Sequence, residues 1–235
     1  MSNLPGIILV KKEKINDLAI IPEIKAVDQT TVDTLLLQEA TGGYFELSRE
    51  DFLDLLFSHF VNSNDAVISS TGLISRSIFH HRDGENQFYN AGAFGLTSAI
   101  GLGFAINQPD IKTVIIEGDG SVLTNIGTLN VIGHFTPPNL LHIILDNKSY
   151  ASCSGEQTFG SEKIPQLAKI FGYRRTFSIQ SRESVFRILD ELRFASVGPQ
   201  MLHVRINNKG RRDFKRPLEM KSNSTRFRNY FNAKS

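Results

Sequence analysis

The chain has 235 residues, 40% of them hydrophobic and 21% charged. That balance fits a soluble globular protein of one domain, two at most, at roughly 100–200 residues per domain. Twenty-six Lys/Arg against 24 Asp/Glu leave a formal charge of +2, so net charge singles out no nucleic acid and no membrane surface as a partner. The single cysteine, Cys153, excludes an internal disulfide framework and fits a reducing cytosol. No apolar run reaches the roughly 18 residues that a membrane-spanning helix requires. The N-terminus lacks the basic start and apolar core of a secretory signal, so the expected location is cytoplasmic. The charge is unevenly spread. Residues 203–235 carry ten Lys/Arg against Asp213 and Glu219, a net +8, which leaves the other 202 residues at −6. The ordinary reading of such a run is a solvated basic face; the other is attraction to an anionic substrate, a nucleic acid or an acidic partner.

In chain order, Gly6 to Lys11 reads as a short apolar strand, and residues 12–45 read as a linker or arm without a clear period. Ser48-x-x-Asp51 has the form of a capping box with Asp in the place of Glu. Phe52, Leu55, Leu56 and Phe60 then form one apolar stripe, so a helix is expected from Ser48. Asp65–Ser70 reads as a strand. His80-His81 precede Arg82-Asp83-Gly84 and read as a surface loop. Ala91–Ile106 is rich in Gly and Ala, which suggests a helix packed closely against a neighbour. Lys112–Glu117 reads as a buried strand. Val122–His134 reads as one helix stopped by Pro137-Pro138. Leu140–Leu145 reads as a second buried strand, Ile164–Phe171 as a short helix, Ser184–Phe194 as an amphipathic helix, and Met201–Ile206 as a final strand. Strands alternating with helices point to an α/β fold, a parallel sheet with helices on both faces. His59 and His134 read as structural, and His142 and His203 as core or partner-facing residues of strands.

The stretch that carries chemistry is Gly118-Asp119-Gly120, 25 residues, then Asp146-Asn147. The first element follows a strand and opens a helix; the second ends the next strand. The interval suits a right-handed parallel crossover. If the two strands are neighbours, their carboxyl ends lie side by side. Asp119 and Asn147 then project two oxygen ligands into one crevice, where open α/β sheets bind ligands. A carboxylate and an amide oxygen leave most positions of an octahedral magnesium ion for phosphate oxygens, a main-chain carbonyl and water.

That pattern resembles the thiamine diphosphate and magnesium signature, in which a Gly-Asp-Gly is followed at a similar distance by Asn-Asn. The sequence is more specifically similar to the diphosphate-binding half of the phosphonopyruvate and sulfopyruvate decarboxylases. Four further segments carry the resemblance: Ser70-Thr71-Gly72-Leu73-Ile74-Ser75-Arg76, Phe88-Tyr89-Asn90-Ala91-Gly92-Ala93-Phe94-Gly95, Ser152-Cys153-Ser154-Gly155-Glu156-Gln157-Thr158, and the basic Lys209–Pro217 stretch. By resemblance, Asp119 and Asn147 bind Mg2+ by side chain and Ser149 by its carbonyl. Ser70, Thr71, Gly72, Gly118, Gly120 and Ser121 face the diphosphate. The Gly92 carbonyl meets the cofactor's amino group, and Ala93 and Phe94 lie beside it, Phe94 where the family has a smaller aliphatic support. Ser154 and Glu156 stand where the family has Gly and Gln. The resemblance implies residues 1–45 as an arm that resembles the remnant of a preceding pyrimidine domain, 46–208 as the thiamine diphosphate-binding domain and 209–235 as a basic tail.

The family's activating Glu lies on the pyrimidine domain, and Glu13, Glu23 and Glu39 sit in no recognisable version of its context. The implied function is therefore a diphosphate-binding subunit of a decarboxylase of a small 2-oxo acid. It would act in a hetero-oligomer with a pyrimidine-domain (alpha) subunit that supplies the Glu. A carboligase of the acetolactate synthase type and a non-catalytic cofactor-binding subunit stay open.

Overall fold

The computed structural model describes residues 45–153, 155–194, 197–217 and 219–233. The expected strand Gly6–Lys11, the arm before residue 45, the three glutamates within it and Ser154 lie outside the described residues.

Helix α1 (Arg49–His59) starts at the expected capping box: the Asp51 N–H donates to Ser48 Oγ at 3.2 Å, and the Ser48 N–H donates to Asp51 Oδ2 at 2.9 Å. β1 (Ala66–Ser69) follows, then α2 (Leu73–Arg82), β2 (Gln87–Tyr89), α3 (Thr97–Asn107) and β3 (Thr113–Gly118). α4 (Asp119–Thr124) and α5 (Gly127–Phe135) lead to β4 (Leu140–Asp146). A short 3-10 turn (Ser161–Lys163), α6 (Ile164–Ile170), β5 (Arg175–Ile179), α7 (Arg182–Phe194), β6 (Gln200–Arg205) and α8 (Met220–Asn232) complete the described chain.

The sheet has six strands in the order β2-β1-β3-β4-β6-β5, and every neighbouring pair is parallel. The α/β class expected from the sequence is the one observed. Strand side chains alternate between the two faces. Val114, Ile116, Leu141, Ile143, Leu145, Phe177, Leu202 and Val204 pack on one side with Phe52 and Leu56 of α1 and Ile188 and Leu189 of α7. Ile115, Leu140, Ile144 and Met201 pack on the other with Leu102 of α3, Leu129 and Ile132 of α5 and Ala168 of α6. Small residues set how near the helices come. A Cβ on Gly101 would lie 2.4 Å from two carbons of Ile115, and one on Gly133 would lie 1.7 Å from the Phe171 carbonyl oxygen.

The sequence reading assigned no element at α2, β2, β5 or α8, and three of its expectations differ from the structure. The helix expected from Ala91 begins only at Thr97, because Gly92 (φ 80°) and Gly95 (φ 81°) hold the preceding loop in left-handed backbone. The helix expected across Val122–His134 is two: Asn125 caps α4 in a non-helical conformation (φ −142°, ψ 58°), and the chain restarts at Gly127. His80 and His81 form the last turn of α2, where His80 stacks on Phe214 with ring centroids 4.3 Å apart.

Beyond Arg205, the chain runs past α1 and α2 to α8 at the β2 edge. Phe227 and Phe231 of α8 are buried against Ala66 and Ile68 of β1. Burying side chains of this kind stabilises by about 1.5–3 kcal/mol each. Asn223 of α8 then does what a neighbouring strand would do. Its Oδ1 accepts from the Tyr89 N–H at 3.0 Å, and its Nδ2 donates to the Gln87 carbonyl at 3.1 Å. The exposed main chain of an edge strand is thereby closed.

Candidate functional site

The strand order reverses at β1: β2 lies on one side of it and β3 on the other. Ligands bind outside the carboxyl ends of the strands at such a switch point. Ser70 leaves β1 there, Gly118 and Asp119 leave β3, and Asn147 leaves β4, the neighbour of β3. These carboxyl ends line an open cleft of about 510 Å3. Ser70, Thr71, Phe94, Gly118, Asp119, Gly120, Ser121, Asn147 and Ser149 all border it. Gly72, Gly92 and Ala93 do not. Gly72 is instead the N-cap of α2, at φ 87°, where a Cβ would also press on Ser152 at 3.0 Å. Gly92 and Ala93 lie in the loop that carries Phe94.

The Asp119 side chain is almost wholly buried and accepts a short hydrogen bond from the Thr158 hydroxyl. Burial, and next the negative charge of Asp146, push its carboxyl up to about 7; the Thr158 hydroxyl and the Gly120 N–H pull the other way. Asp146 moves in the opposite direction. Burial pushes it up, but His203 outweighs that from 3.0 Å, with help from the Lys148 N–H at 2.9 Å, so Asp146 is held below the usual carboxylate range. His203 is itself held on its far side by the Ser178 hydroxyl at 3.0 Å.

The loop after β4 is shaped by these contacts. Lys148 takes left-handed backbone (φ 55°), uncommon outside glycine. Asn147 turns its Oδ1 toward the Ser149 N–H (3.3 Å), while its Nδ2 donates to Asn208 Oδ1 (2.7 Å). The loop then folds back: the Tyr150 N–H donates to the Glu156 carbonyl (2.8 Å), the Thr158 N–H to the Lys148 carbonyl (3.1 Å), and Ser149 bridges to Gln157. Tyr150 and Phe94 face each other across the cleft, with ring centroids 6.5 Å apart. A Cβ on Gly120 would meet the Tyr150 ring at 2.6 Å, so the glycine leaves that ring its place.

The donors suit a hard divalent cation. Asp119 offers a carboxylate, Asn147 an amide oxygen and Ser149 a carbonyl, an all-oxygen set of the kind Mg2+ takes together with phosphate and water. A buried carboxylate beside a second one is also the group that a cation relieves. Among the described residues no group of three or more His, Cys, Asp and Glu could hold a metal ion, so a site here relies on neutral oxygens and on ligands from a bound molecule.

Sequence reasoning missed Arg49 and Tyr150, which also border the cleft. Arg49 arrives from α1, a distant element. It is buried, donates to Ser77 Oγ at 2.8 Å and makes a short bond to the Arg211 carbonyl, tying the basic 209–217 stretch to α1 and α2. Burial lowers its pKa from the ordinary value. Tyr150 follows Asn147 closely, and only the fold-back of its loop turns it toward the cleft. Cys153 is exposed nearby. No helix among the described residues is long and apolar enough to cross a membrane.

Comparison with known proteins gives a consistent picture. Residues 70–204 match the family model described as "Thiamine pyrophosphate enzyme, C-terminal TPP binding domain". The chain is 40% identical over 131 residues to the sulfopyruvate decarboxylase subunit beta of Methanocaldococcus jannaschii, covering 54% of this chain and 69% of that one. It is 36% identical over 142 residues to the phosphonopyruvate decarboxylase of Streptomyces viridochromogenes, covering 60% of this chain and only 35% of that one. Among solved structures, a thiamine diphosphate-dependent 4-hydroxybenzoylformate decarboxylase of Rhodococcus jostii superposes with a TM-score of 0.60 at 17% identity, over 73% of this chain and 34% of that chain. The last shows the fold. The chain thus spans about a third of the two larger proteins and about two thirds of the beta subunit.

Proposed function

The chain belongs to the thiamine pyrophosphate enzymes through their C-terminal cofactor-binding domain, and from that premise we propose that it is the diphosphate-binding subunit of a 2-oxo acid decarboxylase. The observation that carries the reading is the convergence of Asp119 and Asn147, from adjacent strand ends, in one cleft. The cofactor, once bound, supplies a thiazolium carbon that bonds the keto carbon of a 2-oxo acid and accepts the electrons released as carbon dioxide leaves. The chain's own residues hold and orient. Asp119, Asn147 and the Ser149 carbonyl ligate Mg2+. Ser70, Thr71, Gly118, Gly120 and Ser121 would border the diphosphate, with Gly72 capping α2 behind Thr71. Phe94, carried by the Gly92–Phe94 loop, and Tyr150 border the cleft and would be the aromatic surfaces nearest the cofactor.

The domain boundaries that go with this reading are 46–208 for the cofactor domain, preceded by an arm and followed by the basic C-terminal stretch. The relatives named as beta subunits support a separate alpha subunit. We propose that this subunit brings the pyrimidine domain and its activating Glu, in a hetero-oligomer in the cytoplasm. The substrate is a small 2-oxo acid of the phosphonopyruvate or sulfopyruvate kind.

Calorimetry with thiamine diphosphate and Mg2+, with and without a pyrimidine-domain subunit, tests the reading. Magnesium-dependent binding is expected, and carbon dioxide release from a 2-oxo acid only when both subunits are present. No cofactor binding in either case would overturn it. A ketol product in place of an aldehyde would turn the decarboxylase into a carboligase.

A further inference from the structure

Directly before the Gly-Asp-Gly turn lies Glu117, a carboxylate with no solvent exposure. A buried carboxylate is costly unless hydrogen-bonded, and this one has two partners. Ser121 Oγ donates to its Oε2 at 2.7 Å, and His142 Nε2 meets its Oε1 at 2.8 Å. On the far side of the imidazole, Nδ1 lies 2.9 Å from the Tyr173 hydroxyl. With the imidazole neutral, the hydrogens fit one arrangement. A carboxylate only accepts, so Ser121 O–H and His142 Nε2–H donate to it, and Nδ1 is left to accept from Tyr173. Burial, with the Glu117 charge beside it, holds the Tyr173 phenol well above its usual range, so it remains a donor. Every hydrogen in the chain Tyr173–His142–Glu117–Ser121 is used.

The placement gives this network a task. The Glu117–Ser121 bond spans four residues and closes over Asp119 and Gly120. His142 stands on β4, the strand whose end carries Asn147, and Tyr173 leads into β5. One buried chain of hydrogen bonds therefore ties the turn holding Asp119 to the strand that delivers the second oxygen ligand. We propose that Glu117 is a positioning residue for the cation site, anchored by His142 and Tyr173 and acting through Ser121 to hold Asp119 in line with Asn147. Outer residues that orient metal ligands typically change affinity by about 10–100-fold when altered. The proposal rests on the cofactor reading above.

The test compares full-length wild type, Glu117→Gln, Ser121→Ala, their double variant, and Asn223→Ala, which weakens the fold at the β2 edge. Thiamine diphosphate binding with Mg2+ is followed by calorimetry, in the assembly in which wild type binds. Bound Mn2+ in place of Mg2+ is followed by electron paramagnetic resonance. Each of Glu117→Gln and Ser121→Ala is expected to weaken binding at least about tenfold and to change the Mn2+ spectrum. The double variant should be no weaker than the worse single one, because the two residues act as a unit. Asn223→Ala should lower the melting temperature and leave affinity and spectrum alone. Ser121→Ala removes one hydroxyl, so it keeps the test alive if Glu117→Gln fails to fold. Wild-type affinity and an unchanged Mn2+ spectrum in Ser121→Ala would overturn the proposal while the cofactor reading stands. An absence of binding in wild type itself would instead overturn the cofactor reading, and the proposal with it.

Discussion

At the cleft, the Asp119 carboxylate sits buried with a second carboxylate, Asp146, as its neighbour, and Lys148 and Gly72 hold left-handed backbone. At the β2 edge, groups just as polar are matched one by one: Asn223 answers the N–H of Tyr89 and the carbonyl of Gln87, and Arg226 answers Asp83. Both regions are assembled from segments far apart in the chain. They differ in what is left over. The edge offsets nearly all of its polar cost within the chain itself, leaving Arg226 Nε buried without a partner, whereas the cleft keeps two neighbouring carboxylates whose repulsion a bound cation relieves. A buried carboxylate pressed by a second one marks the region built for a ligand, and main-chain groups answered by Asn223 mark the region built for the fold. Variants that separate binding from stability test that division.

The largest effect is expected at Asp119. Asp119→Ala should push magnesium-dependent thiamine diphosphate binding beyond calorimetric detection. Asp119→Asn should in addition make the cofactor-free chain more stable at pH 8 than wild type. The carboxyl is raised to about 7 in the folded protein, against about 3.9 unfolded. The folded state therefore holds the proton more tightly, and wild-type stability declines as pH rises from about 4 to 7. The advantage of the Asp119→Asn variant should be full above pH 7, at most about 4 kcal/mol, and absent below pH 4. Denaturant melts at three pH values measure it. A variant less stable than wild type at pH 8 would erase the contrast between the two regions.

Asn223→Ala is the matching change at the edge. It strips partners from a buried N–H and a buried carbonyl. An unpaired buried polar group costs about 1–3 kcal/mol, so a total of about 2–3 kcal/mol is expected. Cofactor affinity should stay within about twofold of wild type, well under the roughly 1.4 kcal/mol of a tenfold change. Weaker cofactor binding in this variant would mean that the edge and the cleft are one cooperative unit.

How far each region was legible in the sequence follows the same division. Gly118-Asp119-Gly120 and Asp146-Asn147 stand at strand ends in a fixed order, and local pattern alone brought them together, as it did the capping box at Ser48. The edge was not readable. Gln87–Tyr89 is too short for an alternation to show. In Met220–Asn232, Phe227 and Phe231 are spaced like a helical stripe but sit among Lys, Arg and Asn, so charge dominated the reading. Within the site, Glu117 and Asp146 gave no sign of their roles. The partners that define them, His142 and His203, come from other strands, and only the sheet order makes them neighbours. The break at Asn125 was also hidden, because Val122–His134 carries a continuous apolar pattern across it.

Gly120→Ala probes the cleft more gently. The added Cβ would need the space of the Tyr150 ring, 2.6 Å away, and overpacking of this kind costs about 1–3 kcal/mol. The Tyr150 side chain is only half-buried at the cleft, so the cost should appear mainly in binding. Thiamine diphosphate affinity is expected to drop about tenfold, or roughly 1.4 kcal/mol, with little change in the melting temperature. A large melting shift with unchanged affinity would place Tyr150 with the structural region.

The smallest effect belongs to the ion pair at the edge. Burial pushes the Asp83 carboxyl up, but the Arg226 and Tyr89 hydrogen bonds outweigh it and hold the group below its ordinary value. Arg226 lies at 2.7 and 2.8 Å from its two oxygens. Because the folded-state value is lowered, the pair contributes stability above the unfolded value of about 3.9, and that contribution is lost as pH falls through the folded-state value. The pair is partly exposed, so Arg226→Ala should cost about 1 kcal/mol at pH 7. The gap between variant and wild type should close on acidification below pH 4, while Asn223→Ala, a neutral defect, keeps its gap at every pH. Melts of the two variants from pH 7 to pH 3 show the difference. A gap for Arg226→Ala that persists at pH 3 would mean that its guanidinium over the Tyr89 ring, rather than its pairing with Asp83, is what secures α8 to the sheet.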